Sequence, residues 1–168
     1  MNTAIHEKIT RGETLSTEEL RQLIENGGCL KDAFHLTDSD LTSLMMIGYE
    51  LFNQGKYDDA RVIFQGLEAL GHDDPFVYTA LGTIAARKNE LEMAHDYFNR
   101  AIDGDPEDMV ALTNRAEVFL KQNCFEEAAS DLQKAIELDP DEESALSSRA
   151  RVLAMVTREL MESVQESA

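Results

Sequence analysis

The stretch PFVYTALGTIAARKNELEMAHDYFNRAIDGDPED, residues 75–108, decides the fold, because MVALTNRAEVFLKQNCFEEAASDLQKAIELDPDE at 109–142 repeats its punctuation. Ala94 and Ala128, Phe98 and Leu132, Ala101 and Ala135, and Pro106 and Pro140 all lie 34 residues apart. One period upstream, LTSLMMIGYELFNQGKYDDARVIFQGLEALGHDD at 41–74 sets Gly48 in register with Gly82, Ala60 with Ala94 and Phe64 with Phe98. His72 stands where the two later units place proline. A fixed period held over three units is the mark of a repeat array, and each unit is one supersecondary element.

A period of 34 residues with this pattern is that of the tetratricopeptide repeat, so the expected fold is all-α: a superhelix of helix-turn-helix units at 41–74, 75–108 and 109–142. Unit two carries the fullest set, with Tyr78, Leu81, Gly82, Ala94, Phe98, Ala101 and Pro106; unit three has Ala116, Phe119, Ala128 and Leu132; unit one has Leu44, Gly48, Ala60 and Phe64. The small residues Gly48, Gly82 and Ala116 sit where the first helix of a unit meets the second closely, and Ala60, Ala94 and Ala128 answer them. Phe64, Phe98 and Leu132 fill the space between layers. No helix pair buries its apolar face alone, and stacking does so. Helices are expected at 41–54, 57–70, 75–88, 91–103, 109–122, 125–138 and 143–164, broken by NQGKY, GHDDP, DGDPED and LDPDEE.

Outside the repeats, residues 1–14 read as flexible and 15–40 as an N-terminal helical extension. Ser16 followed by Glu19 is a capping-box signature. It opens a helix with Leu20, Leu23 and Ile24 on one face, stopped at Gly27-Gly28. That face either packs on the body of the protein or pairs with a second chain. CLKDAFHL at 29–36 is expected to form a short helical turn on unit one. The last segment, 143–168, holds Leu146, Leu153 and Leu160 at heptad spacing and reads as a capping helix with a tail.

Composition narrows the function. The 168 residues carry 15 Lys and Arg against 33 Asp and Glu, a net charge of −18 with a pI near 4.4. Recognition of nucleic-acid phosphates needs the opposite balance, so no nucleic-acid partner is expected. No apolar run is long enough to cross a bilayer, and membrane insertion is not expected. The charge favours basic or apolar partners. Two cysteines, Cys29 and Cys124, form no disulfide or metal framework, and a reducing cytoplasm is the default.

In a repeat of this kind the first helices line the concave wall. The inward positions are Thr42, Met45, Tyr49 and Phe52 in unit one, Phe76, Thr79, Thr83 and Ala86 in unit two, and Val110, Thr113, Glu117 and Leu120 in unit three. Such a wall suits an extended peptide: Met45, Tyr49 and Phe52 offer pockets to Leu, Val or Pro side chains, while the threonine hydroxyls and Tyr49 offer hydrogen bonds to its backbone. Met45 and Tyr49 are also open to reading as core. The clamp by which tetratricopeptide co-chaperones hold acidic peptides would fall on Met45, Tyr49, Ala80, Val110 and Asn114, where no cation stands. No cofactor or metal is expected. Asp103, Asp105, Glu107 and Asp108 begin like a calcium loop, but Asp108 stands where its glycine should be and Asn114 where its glutamate should be. His6, His35, His72 and His95 show no ligand spacing, and no nucleophile or phosphate-loop motif is present, so no enzyme is expected.

The segment from Gly27 to Ala101 resembles the class II chaperones of type III secretion, the LcrH/SycD-like family. The most specific part is NQGKYDDARVIFQGLEALGHDD at 53–74, followed by Leu81-Gly82, and the resemblance extends over residues 16–160. It implies a cytoplasmic, bacterial, non-enzymatic chaperone. Its clients would be the hydrophobic translocator proteins that form a pore in a host membrane, held soluble until export by an extended Pro- and Leu-containing segment in the concave groove. The family's groove positions fall on Met45, Tyr49 and Phe52, and on Phe76, Thr79 and Thr83. The family's dimer contact falls on Leu20, Leu23 and Ile24, which implies a homodimer. Unit three follows the general repeat consensus and carries no family signal; the other reading is a tetratricopeptide adaptor or scaffold unrelated to secretion.

Overall fold

Residues 3–26, 30–141 and 144–166 are described in the computed structural model, and among them the chain is helical throughout, without a strand. Gly27-Gly28, Cys29, Glu142 and Glu143 lie outside the described residues. The chain divides into two compact units, one ending at Asp73 and the other beginning at Asp74, the border between the first and second repeats.

The first unit opens with α1 (Thr3–Thr10), where the sequence suggested a flexible end. Ile5 is buried, and Lys8 Nζ reaches Glu19 Oε1 at 2.7 Å, so one apolar anchor and one ion pair tie α1 to α2 (Thr17–Glu25). Both halves of the Ser16/Glu19 capping box are made. The short α3 (Leu30–Ala33) docks through Lys31 N–H, which donates to Leu70 C=O at 3.2 Å. α4 (Asp38–Asn53) starts three residues earlier than expected, because Thr37 and Asp40 form a second capping box. α4 packs on α5 (Tyr57–Ala69), with Leu41, Phe64 and Leu67 fully buried.

The second unit holds α6 (Pro75–Arg87), α7 (Leu91–Gly104), α8 (Met109–Lys121), α9 (Phe125–Leu138) and α10 (Ala145–Glu166). Pro75 opens α6, where its missing N–H costs nothing. The hairpin of each repeat turns in the same way: Gly55, Asn89 and Asn123, 34 residues apart, have φ of 75°, 60° and 59°. Glycine and asparagine tolerate this left-handed conformation best. The next N–H in each turn, of Lys56, Glu90 or Cys124, donates to the carbonyl of Leu51, Ala85 or Phe119 at 2.9 Å, a Schellman closure made three times. Close helix approach also falls where the sequence put it. A methyl group added at Gly82 would meet Phe98 at 2.7 Å, and one at Gly48 would meet Phe64 at 3.0 Å.

Candidate functional site

On α4, Thr42, Met45, Tyr49 and Phe52 recur at steps of three and four and therefore share one face. Tyr49 is 51% exposed, and Met45 and Phe52 are half-buried. The Phe52 ring meets Tyr57 edge-on, with centroids 5.4 Å apart, so Phe52 presents a wall that α5 holds in place. Thr42 is exposed, and its hydroxyl donates to Asp38 C=O at 2.8 Å. Leu41 and Gly48, each four residues before Met45 and Phe52, lie on the adjoining, buried side of the helix. Tyr49 therefore belongs to the surface, while Met45 and Phe52 stand at the boundary between surface and core.

In the second unit the wall is built differently. Phe76 and Val110 are exposed, at 40% and 43%, and Thr83, Ala86, Glu117 and Leu120 are half-buried. The expectation that threonine hydroxyls serve a bound peptide is corrected here, because the protein uses them itself. Thr79 is buried and donates to Asp108 Oδ2 at 2.6 Å. Asp108 in turn caps α8 by accepting from Val110 and Ala111 N–H. Thr83 donates to Thr79 C=O at 2.7 Å and accepts from Asn114 Nδ2 at 3.1 Å. Asn114 Oδ1 then accepts from Arg149 Nη1 at 3.1 Å, and Arg149 also grips Glu117. These bonds form a polar ladder through α6, α8 and α10.

Thr113 is corrected too. It is completely buried, and its hydroxyl makes no hydrogen bond among the described residues, so it is packing volume and not a groove residue. The sequence pattern missed this because α6, α7, α9 and α10 all pack against α8. Arg149 was also missed: it comes from the capping helix yet completes the ladder that fixes Asn114 and Glu117. Its signal was an arginine one period after Arg115. Arg115 itself makes a bidentate pair with Asp131 at 2.7 Å and donates to Asn99 Oδ1 at 2.7 Å, locking α8 to α9 and α7.

The face expected to hold a second chain is divided. Leu23 is buried within the chain, Leu20 is half-buried, and Ile24 is 54% exposed. Leu23 is thus a core residue, because α2 packs on its own chain through α3 and α1. Asp105 and Asp108 act as turn and capping acids, each accepting from a backbone N–H two residues on. Cys124 is half-buried at the start of α9.

Two tetratricopeptide-repeat models match the chain, one at residues 45–109 and one at 110–142, and together they cover more than half of it. The chain belongs to the tetratricopeptide-repeat family. A curated relative is low calcium response locus protein H of Yersinia pestis, 28% identical over 95 residues, covering 54% of this chain and 56% of that protein. The chain spans little more than half the length of the curated relatives it matches. A solved type III secretion complex from Aeromonas hydrophila matches with a TM-score of 0.74 at 23% identity, covering 85% of this chain and 97% of that one. PcrH, solved in complex with the chaperone-binding region of PopD, matches with a TM-score of 0.69 at 25% identity, covering 75% and 96%. The tetratricopeptide proteins this chain is similar to thus include the LcrH/SycD-like class II chaperones.

Proposed function

We propose that this protein is a cytoplasmic, non-enzymatic chaperone of type III secretion, which holds hydrophobic translocator proteins through an extended segment and keeps them soluble until export. The observation that carries the reading is apolar exposure on the first helices of the repeats, taken unit by unit: Tyr49 beside Met45 and Phe52 on α4 in the first, and Phe76 and Val110 exposed one period apart on α6 and α8 in the second. Soluble chains bury aromatic side chains where they can, and exposed apolar side chains grouped on one helix face mark a surface that another chain covers. Each anchor side chain that it buries contributes about 1.5–3 kcal/mol. Thr79 and Thr83 are engaged within the chain and Thr113 is buried, so recognition rests on shape and apolar contact. The likeness to PcrH, solved with a translocator's chaperone-binding region, supports the same reading.

The test is co-expression with the hydrophobic secreted proteins encoded nearby, followed by pulldown and mass spectrometry. Tyr49→Ala is the informative variant, because Tyr49 is exposed and Phe52 also braces α5. It should weaken the complex by about ten- to a hundredfold, the loss of one anchor, with helical content unchanged. A soluble partner of another kind, bound equally well by the Tyr49→Ala variant, would refute the reading and favour a general adaptor.

A further inference from the structure

α4 has the composition of a core helix and the exposure of a surface one. From Leu41 to Tyr49 it carries no charged residue, although 29% of the chain is charged. α6 is uncharged in the same way from Pro75 to Ala86, and eight of its 13 residues are buried. On α4 only Leu41 and Gly48 are buried, out of 16 residues. The most open large apolar side chain among the described residues is Met46, at 69%. Residues 46, 80 and 114 lie one period apart. Ala80 and Asn114 are each 9% exposed, and Asn114 is closed in by its bond to Thr83 on the preceding first helix. α4 is the earliest first helix of the series, so no such neighbour covers Met46. Met46 stands three residues before Tyr49 and four after Thr42, both exposed, and shares a face with them. Neither the inward repeat positions nor the family's groove positions include it.

We propose that Met46 is a further client contact, one that widens the surface around Tyr49 and selects a second large apolar side chain on the client. The inference rests on the client-binding reading above. A thioether on an unbranched stem adapts its shape to Leu, Met or Phe alike. Side chains three apart on a helix stand about 5–6 Å from each other. Alternate side chains of an extended chain are about 7 Å apart. One extended segment can therefore seat an apolar residue on Tyr49 and another, two positions along, on Met46. Charge selects a client over a second copy at this face. α4 carries Asp38, Asp40 and Glu50 and no Lys or Arg. Even with Lys31 against Asp38 at 3.4 Å, two copies paired α4 on α4 would bring acids together in either direction. An apolar segment with neutral or basic flanks meets no such repulsion.

Hydrogen peroxide footprinting tests the contact, on the full chain alone and in its complex with the co-expressed hydrophobic secreted protein. Peroxide transfers one oxygen to the thioether sulfur and leaves water, and mass spectrometry reads the sulfoxide at each methionine. Met155, 67% exposed on α10, is the reference. In the free chain Met46 and Met155 should oxidise at similar rates. In the complex Met46 should slow several-fold while Met155 keeps its rate. Met46→Ala should weaken the complex about tenfold, and Met46→Leu should keep wild-type affinity. Both should leave the urea midpoint unchanged, because Met46 is exposed in the free chain. The proposal is overturned, with the client reading intact, if a complex weakened by Tyr49→Ala leaves Met46 as reactive as before or binds Met46→Ala as well as wild type. It is overturned in favour of a second copy if Met46 is already slow in the free chain. If Tyr49→Ala leaves binding unchanged, the client reading fails and this contact fails with it.

Discussion

Replacing Gly82 by alanine sets two effects of opposite sign against each other. Alanine is a better helix former than glycine by about 1 kcal/mol in a helix interior. The added methyl would lie 2.7 Å from Cδ1 and Cε1 and 3.1 Å from Cγ of Phe98. Phe98 is completely buried among Ala94, Ala101 and Leu112, so its ring has nowhere to swing. Overpacking of this kind costs about 1–3 kcal/mol, and the net for Gly82→Ala should be a loss of about 1 kcal/mol. Gly66 supplies the control: it lies within α5 with nothing within 4 Å of an added methyl, so Gly66→Ala should gain about 0.5–1 kcal/mol. The decisive variant borrows from unit three, which pairs Ala116 with Leu132 at the two positions where unit two pairs Gly82 with Phe98. Phe98→Leu alone should cost about 1–1.5 kcal/mol. Combined with Gly82→Ala, it should give back about 1 kcal/mol of coupling, since the shorter side chain vacates the space the methyl needs. Urea unfolding followed by far-UV circular dichroism measures all four variants, with the m-value checked for constancy. A Gly82→Ala protein more stable than wild type, or a double variant equal to the sum of the singles, would refute the packing argument.

Asp131→Ala should destabilise the second unit by about 3 kcal/mol, because it strands the largely buried Arg115 guanidinium; Arg115→Met with Asp131→Leu should restore most of the loss in the same denaturation experiment. The N-terminal helix should be acid-sensitive. Hydrogen bonding to Lys8 and to the backbone and hydroxyl of Ser16 holds the Glu19 carboxyl at about 2, below its ordinary value of 4.5. A depressed folded-state value means the contribution is full above the unfolded pKa and is lost as pH falls toward 2, so amide exchange in α1 and α2 should quicken over that window. Glu19→Gln should remove the dependence.

The repeat register carried most of the fold in the sequence. Gly48, Gly82, Ala60, Ala94, Phe64 and Phe98 gave the helix pairs, and GHDDP and NQGKY gave their turns, because close approach and left-handed turns admit only a few residue types. The structure adds the left-handed positions Gly55, Asn89 and Asn123, which recur with the same period. α1 was not legible, since Ile5 and Lys8 gain their meaning from partners outside their own helix. The groove was legible only as a list of positions. Periodicity places Tyr49, Thr79 and Thr113 on comparable faces, but exposure depends on what packs alongside. Tyr49 is exposed, Thr79 is bonded to a capping aspartate, and Thr113 is buried on α8, against which α6, α7, α9 and α10 all pack. Local chemistry thus determined the repeat, its turns and its close contacts. Burial of any one wall residue is a property of several helices together, and only the tertiary structure decided which parts of that wall face outward.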